Sequence, residues 1–255
     1  MEIIDTHTHL YLNQFNNDFD QVITKAIDHN ITKLIFPSID SSHMEKMHEL
    51  KNRYPNNIFL MTGLHPVYVK DNYKDELDQV IKSLIDHDYA AVGEIGIDLY
   101  WDKTFLKQQQ DAFEFQIELA LEKKLPIVIH CRGAFNEIFE ILEKFKSKKM
   151  TGIFHCFTGS LDQANKSIEM GFKLGIGGVV TFKNAGIDKL IKDIDLENIV
   201  LETDSPYLAP VPFRGKRNES FYITYVIKKI SEIYNISEKE VAEITTKNSK
   251  EIFKI

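Results

Sequence analysis

The chain is poor in cysteine, with only Cys131 and Cys156 among its 255 residues. Two thiols cannot supply the disulfide framework on which small secreted domains depend, so both read as packing residues. Positive charge is not in excess either. The 31 basic residues stand against 38 acidic ones, a net charge of −7, which argues against a broad basic face that coats nucleic acid. Arginine is rarer still, only Arg53, Arg132, Arg214 and Arg217 among those 31. The scattered lysines read as solvated helix faces, and the scarcity of arginine makes its positions informative. Long apolar runs are missing as well. Ile127 to Ile129, before His130, falls far short of the ~20 residues that a bilayer span requires, so no membrane partner is expected. The opening MEIIDTHTHL has no basic start, long apolar stretch or small-residue cleavage site, and a cytoplasmic location is the expectation. No obligate protein partner is evident.

What is present is ordinary for a globular protein: 43% apolar and 27% charged residues, enough for a sizeable core in a chain of this length. Eight short runs rich in Ile, Val and Phe read as strands: Glu2 to Asp5, Lys33 to Ser38, Ile58 to Gly63, Ala90 to Gly96, Pro126 to Cys131, Thr151 to Phe157, Phe172 to Gly178 and Asn198 to Asp204. Between them lie amphipathic segments such as DFDQVITKAIDH, ELDQVIKSLIDH and FLKQQQDAFEFQIELALEKK, with apolar residues recurring at three and four. Apolar strands each followed by a helix imply a parallel sheet covered on its outer side. Eight such units at this length predict an α/β fold, a closed (β/α)₈ TIM barrel forming a single domain over residues 1–255, in preference to a doubly wound open sheet. Residues 220–255 read as two further helices that cap the barrel.

In such a barrel the carboxyl ends of the strands form the active-site rim. The first strand runs out through His7 and His9, the third through His65; the fourth carries Glu94, the fifth ends in His130, the sixth in His155 and the eighth in Asp204. Six of eight strands thus deliver a metal-competent side chain to one rim. Four other histidines, His29, His43, His48 and His87, fall in helix-rich stretches; the five at strand ends are segregated from them, and this convergence points to metal ligation. Glu202 has the strand parity of Asp204, two residues deeper, where a buried carboxylate needs a partner. It reads as a support for the ligands or for an accessory metal, in preference to a structural salt bridge. Cys131 and Cys156 each follow a rim histidine, so strand alternation points both thiols toward the surrounding helices.

The motifs THTHL, GLHP, GEIGID, IHCRG, FHCFTGS and LETDSPYL, in this order along nearly the whole chain, resemble those of the TatD family of metal-dependent deoxyribonucleases, within the amidohydrolase-like barrels. The resemblance implies two divalent ions bridged by Glu94, one also held by His7, His9 and Asp204, the other by His130 and His155. Imidazole with carboxylate suits Zn²⁺ or Mn²⁺, whereas the family's activity resembles Mg²⁺-assisted nucleases, so all three ions stay open. The expected reaction is two-metal activation of a water for attack on phosphorus, with Asp204 accepting its proton. The resemblance further implies a 3′–5′ exonuclease on single-stranded or frayed DNA ends, in a DNA-repair setting.

For the substrate, Arg132 follows strand five, and Arg214 and Arg217 lie in PVPFRGKRNE after strand eight; guanidinium forks match phosphate oxygens, or else lock that loop by ion pairing. Tyr100 and Trp101, just after strand four, read either as stacking faces for a splayed base or as loop packing. His65 reads as a phosphate contact or as a histidine completing the rim. The alternative to a nuclease is an amidohydrolase-like enzyme acting on a small ester, lactone or cyclic amide.

Overall fold

The computed structural model describes residues 2–255. Eight parallel strands, β1 (Ile3–Asp5), β2 (Ile31–Phe36), β3 (Ile58–Thr62), β4 (Ala91–Asp98), β5 (Ile127–Arg132), β6 (Gly152–Phe154), β7 (Phe172–Ile176) and β8 (Ile199–Leu201), pair in chain order. The helices are α1 (Phe19–Asp28), α2 (Met44–Arg53), α3 (Tyr73–Asp86), α4 (Leu106–Lys123), α5 (Phe135–Lys144), α6 (Leu161–Glu169), the four-residue α7 (Ile187–Leu190), α8 (Ile223–Tyr234) and α9 (Glu238–Phe253). This is the expected single α/β barrel. All eight expected strands form, most of them a residue or more shorter at their ends.

Two separate apolar layers hold it together. Ile3, Leu34, Leu60, Ile129 and Phe154 face outward into the helix layer, where they meet Ile23, Phe113 and Leu142. The alternate residues Ile4, Ile35, Met61, Val128, Ile153 and Val200 fill the barrel interior, joined there by Ile252 and Phe253 from the last turn of α9. The end of α9 therefore plugs the barrel from below. Ser237 starts that helix with a capping box, its hydroxyl accepting from the Glu240 N–H, an arrangement that satisfies otherwise orphaned donors. Among the described residues no helix is long and apolar enough to cross a membrane.

Two local features aim side chains into the mouth. β1 and β8 meet mainly through the segments beyond their ends: the Thr6 N–H donates to Leu201 O (3.0 Å), the Asp204 N–H to His7 O (2.9 Å) and the His9 N–H to Ser205 O (2.7 Å). The barrel seam thus carries two histidines and an aspartate. In β4, Gly93 pairs with Val128 and Ile95 with Ile129, so Glu94 is an extra residue in the ladder. Val92 and Ile95 both face the helices, and plain alternation from Val92 would have sent Glu94 outward too. The bulge turns its side chain inward, as bulges beside active sites do.

Candidate metal centre

Glu94 lies at the middle of the rim, buried to 2% exposure, and its two oxygens face two different sets of donors. Oε2 lies 3.1 Å from His7 Nε2 and 3.8 Å from His9 Nε2. Oε1 lies 2.7 Å from His130 Nδ1, 3.3 Å from His65 Nε2 and 3.4 Å from His155 Nε2. Asp204 completes the first set, Oδ1 standing 3.3 Å from His9 Nε2 and 4.0 Å from His7 Nε2. His7 and His9 approach to 3.2 Å through their Nε2 atoms, and His7 stacks on His155 with ring centres 3.6 Å apart. Such close approach of imidazole nitrogens to one another and to carboxylates is the geometry of a divalent-cation site with mixed nitrogen and oxygen donors. The residues present fit two ions sharing Glu94.

Where one nitrogen of an imidazole is hydrogen-bonded, that bond decides which nitrogen keeps its lone pair. His130 Nε2–H donates to Asp98 Oδ2 (2.9 Å), so the neutral ring has its lone pair on Nδ1, the nitrogen 2.7 Å from Glu94 Oε1. His155 Nδ1 lies 3.1 Å from Glu202 Oε1, a charge contact without hydrogen-bond geometry, and its Nε2 faces Glu94. His65 is the reverse case: its Nδ1 accepts the Val67 N–H (3.1 Å), so the neutral ring carries its proton on Nε2. Although its position alone would admit it to a cluster with Glu94 and His130, His65 faces the cleft as a hydrogen-bond donor.

The electrostatics follow from this crowding. Burial works against a charge on His155, yet Glu202 and Glu94 outweigh it and hold its pKa up at about 10. For His130 burial is likewise overridden, by Asp98 and Glu94. His7 goes the other way, depressed by burial and by the facing His155, and His65 by burial and His130 against the pull of Glu94. Burial raises Glu94, but the ring of imidazoles prevails and holds it well below the usual carboxylate range; Asp204 is lowered despite burial by His9 and His155. Both carboxylates are anionic at neutral pH.

A supporting layer fixes these groups. Gln116 of α4 brackets Leu64, accepting its N–H (2.7 Å) and donating to its carbonyl (3.3 Å), and so holds the loop of His65. Gln109, two turns earlier, accepts the Asp98 N–H (2.9 Å). Asn218 donates to Thr203 O and Tyr207 O, both at 2.7 Å, and clasps the turn of Asp204. Asp5 accepts from the Thr203 N–H (3.0 Å) and hydroxyl (2.7 Å), and burial pushes its pKa up to about 7. Glu202 accepts the Cys156 N–H (2.7 Å), and its other oxygen has no partner among the described residues. Gly175 makes room for it: a Cβ there would stand 2.3 Å from Glu202 Oε2.

Sequence reasoning did not find Asp98, Gln109, Gln116 or Asn218. The signal for Asp98 was the last residue of GEIGID, and for the glutamines their seven-residue spacing on one buried helix stripe. The serine of FHCFTGS has a structural task, since Ser160 caps α6 in a capping box with Gln163.

The donors floor a cleft of 410 Å³ lined also by Tyr68, Trp101, Arg132, Tyr207 and Leu208. Of the three arginines considered for substrate, the structure brings only Arg132 here, its guanidinium 3.9 Å from the Tyr100 ring centre and 5.4 Å from that of Trp101. Arg214 is exposed and lies over Phe182 (4.1 Å). Arg217 spends its fork on Asp18 (2.8 and 2.6 Å) and the Gln14 carbonyl, so it knits the loop after β8 to the start of α1. Trp101 and Tyr100 are 66% and 64% exposed, which is not the burial of loop packing. Cys131 packs against the helix-side core, its thiol pushed up to about 12 by burial. For Cys156 the alternation argument does not apply, because β6 ends at Phe154 and Cys156 takes a left-handed φ of 45°. Its thiol is raised first by burial and then by Glu202 and Asp204.

An eight-stranded parallel barrel with buried histidine and carboxylate clusters at its carboxyl-end rim defines a hydrolase-type metal centre of the amidohydrolase-like class. The sequence profile described as TatD related DNase matches residues 4–254, and the chain belongs to this family of metal-dependent hydrolases. It is 39% identical over 255 residues to YabD, an uncharacterized metal-dependent hydrolase of Bacillus subtilis (strain 168), with 99% of each chain covered. An uncharacterized metal-dependent hydrolase of Buchnera aphidicola subsp. Acyrthosiphon pisum is 33% identical, with both chains covered in full. Among solved structures, YjjV, a TatD homologue of Escherichia coli K12, superposes with a TM-score of 0.93 at 26% identity, covering 99% of this chain and 98% of its own.

Proposed function

We propose that the chain is a deoxyribonuclease that removes nucleotides from single-stranded or frayed 3′ ends of DNA, with two divalent ions as cofactor. The observation that carries the reading is Glu94, one carboxylate with each oxygen aimed at a separate set of imidazoles, beneath a cleft bearing an arginine stacked on aromatic rings. His7, His9, Asp204 and Glu94 would hold one ion, and His130, His155 and Glu94 the other. When bound, Zn²⁺, Mn²⁺ or Mg²⁺ supplies a lowered pKa for the attacking water and offsets charge on the phosphate oxygens.

The chain's own groups supply the rest. Asp204, anionic and at the mouth, accepts the proton of the attacking water. Asp98 keeps His130 in the ligating orientation, as carboxylates behind metal-binding histidines do, and Glu202 places its charge beside His155. The Nε2–H of His65 donates to a phosphate oxygen. Arg132 contacts a further phosphate, held at the mouth by Tyr100, and Trp101 offers a face for the terminal base. A cleft of this size admits one strand end, whereas duplex DNA must first be opened at a few kcal/mol per extruded base.

The test is digestion by metal-loaded protein of end-labelled single strands, 3′ overhangs and blunt duplexes, run beside a panel of small esters and lactones. The expected result is a 3′ ladder, fastest on single strands and slowest on blunt ends. Intact DNA ends together with ester or lactone turnover would overturn the nuclease reading.

A further inference from the structure

Behind His9 stands a residue that the ligand set does not include. Tyr11 is fully buried, its ring tilted against Phe36 (5.9 Å between centres) and edgewise to His43 (5.5 Å). Its phenolic oxygen lies 2.8 Å from the Pro37 carbonyl and 2.9 Å from His9 Nδ1. Pro37 O can only accept, so the single phenolic proton goes there. The oxygen is then left as an acceptor, and the hydrogen bond to His9 exists only if Nδ1 carries the imidazole proton. A neutral His9 therefore has its lone pair on Nε2, the nitrogen that lies 3.2 Å from His7 Nε2 and 3.3 Å from Asp204 Oδ1.

We propose that Tyr11 is a positioning residue of the metal centre, fixing His9 in the one tautomer and ring orientation that can ligate the ion shared with His7 and Asp204. The proposal rests on the metal reading above and concerns one of the two ions only. Among the other ligands, His130 donates to Asp98, whereas Nδ1 of His155 stands 3.1 Å from Glu202 Oε1 as a charge contact without hydrogen-bond geometry, and His7 Nδ1 has no partner among the described residues. His9 alone leans on a neutral phenol, whose own proton is committed to the backbone at the end of β2. The loop after β2 is thereby coupled to the first ion and not to the second.

The experiment uses the full chain, stripped of metal and titrated with Zn²⁺ by calorimetry, as wild type and as Tyr11→Phe, which keeps the ring and removes only the hydroxyl. Wild type is expected to bind two ions. In the variant one binding step should weaken by ~10–100-fold, the range for loss of a group behind a ligand, while the other is unchanged. Equal affinities for both steps in the two proteins overturn the proposal, as does a variant whose only change is a lower melting temperature. Long-range ¹H–¹⁵N spectra of the metal-free wild type, with the ring neutral, read the tautomer directly and do not depend on the variant folding: Nδ1–H on His9 is expected, and Nε2–H overturns the proposal. A wild type that binds no ion overturns the underlying metal reading instead. Neither readout needs a substrate, so the nuclease reading can fail without touching this one.

Discussion

Arg217 closes on Asp18 with two parallel hydrogen bonds of 2.8 and 2.6 Å, joining residues 199 positions apart. A guanidinium so engaged is a clamp between the loop after β8 and α1. Arg132, in contrast, lies over the aromatic faces of Tyr100 and Trp101 in the cleft. Arg132→Ala should weaken binding of single-stranded DNA and flatten its salt dependence by about 0.7 in the log–log slope, the value of one phosphate contact, with metal content unchanged. Arg217→Ala should leave that slope intact and lower stability by about 1 kcal/mol or less, since the pair is partly exposed. Fluorescence binding across a salt series, with a denaturant melt of each variant, separates the two roles.

Metal loading should expel protons. The pKa of His155 is held at about 10 in the metal-free protein, so at pH 7 its ring is protonated and an ion must displace that proton. Affinity is then expected to rise with pH until about 10. The folding sign is opposite: a raised pKa contributes stability that is complete below the unfolded value near 6.5 and is lost as pH rises through the folded one. Metal-free protein should therefore lose stability between about pH 6.5 and 10 through this group. Proton release on Zn²⁺ addition in weak buffer, and melting curves across that range, check both signs.

The two carboxylates of the centre should separate on mutation. Glu94→Ala is expected to remove both ions and all hydrolysis, because each of its oxygens serves a different donor set. Asp204→Asn leaves the His130 side untouched, so at least one ion should remain while the proton acceptor is lost. Elemental analysis beside a turnover assay decides; full metal content in Glu94→Ala would contradict the shared-carboxylate arrangement.

Phe253 plugs the barrel floor at 4% exposure, among Ile4, Met61 and Val200. Phe253→Ala should cost about 3–5 kcal/mol, the range for removing a buried aromatic ring. The ligands sit at the opposite end of the strands, so metal stoichiometry at low temperature should be that of the wild type. Denaturant titration and metal counting test the pair of statements.

The amino-acid sequence by itself determined the barrel and the identity of the rim donors. Eight apolar runs with helical segments between them leave few ways to bury both faces of a parallel sheet, and His7, His9, His65, Glu94, His130, His155 and Asp204 could be read at or beyond the ends of those runs. For β5 and β8 plain alternation sufficed: His130 shares the inward face of Val128, and Glu202 that of Val200. Tertiary structure decided the rest. Glu94 points inward because an extra residue is accommodated against β5, and period-two alternation carries no trace of such a bulge. His7 and His9 lie beyond the end of β1 and are placed by pairing with the segment after β8, nearly 200 residues away. Which nitrogen of His9, His65 and His130 keeps its lone pair depends on Tyr11, Val67 and Asp98, whose approach only the closed barrel creates. Arginine behaved likewise: sequence placed Arg214 and Arg217 in a mouth loop, but Asp18 lay within reach of Arg217, and a nearby carboxylate claims a guanidinium before any substrate arrives.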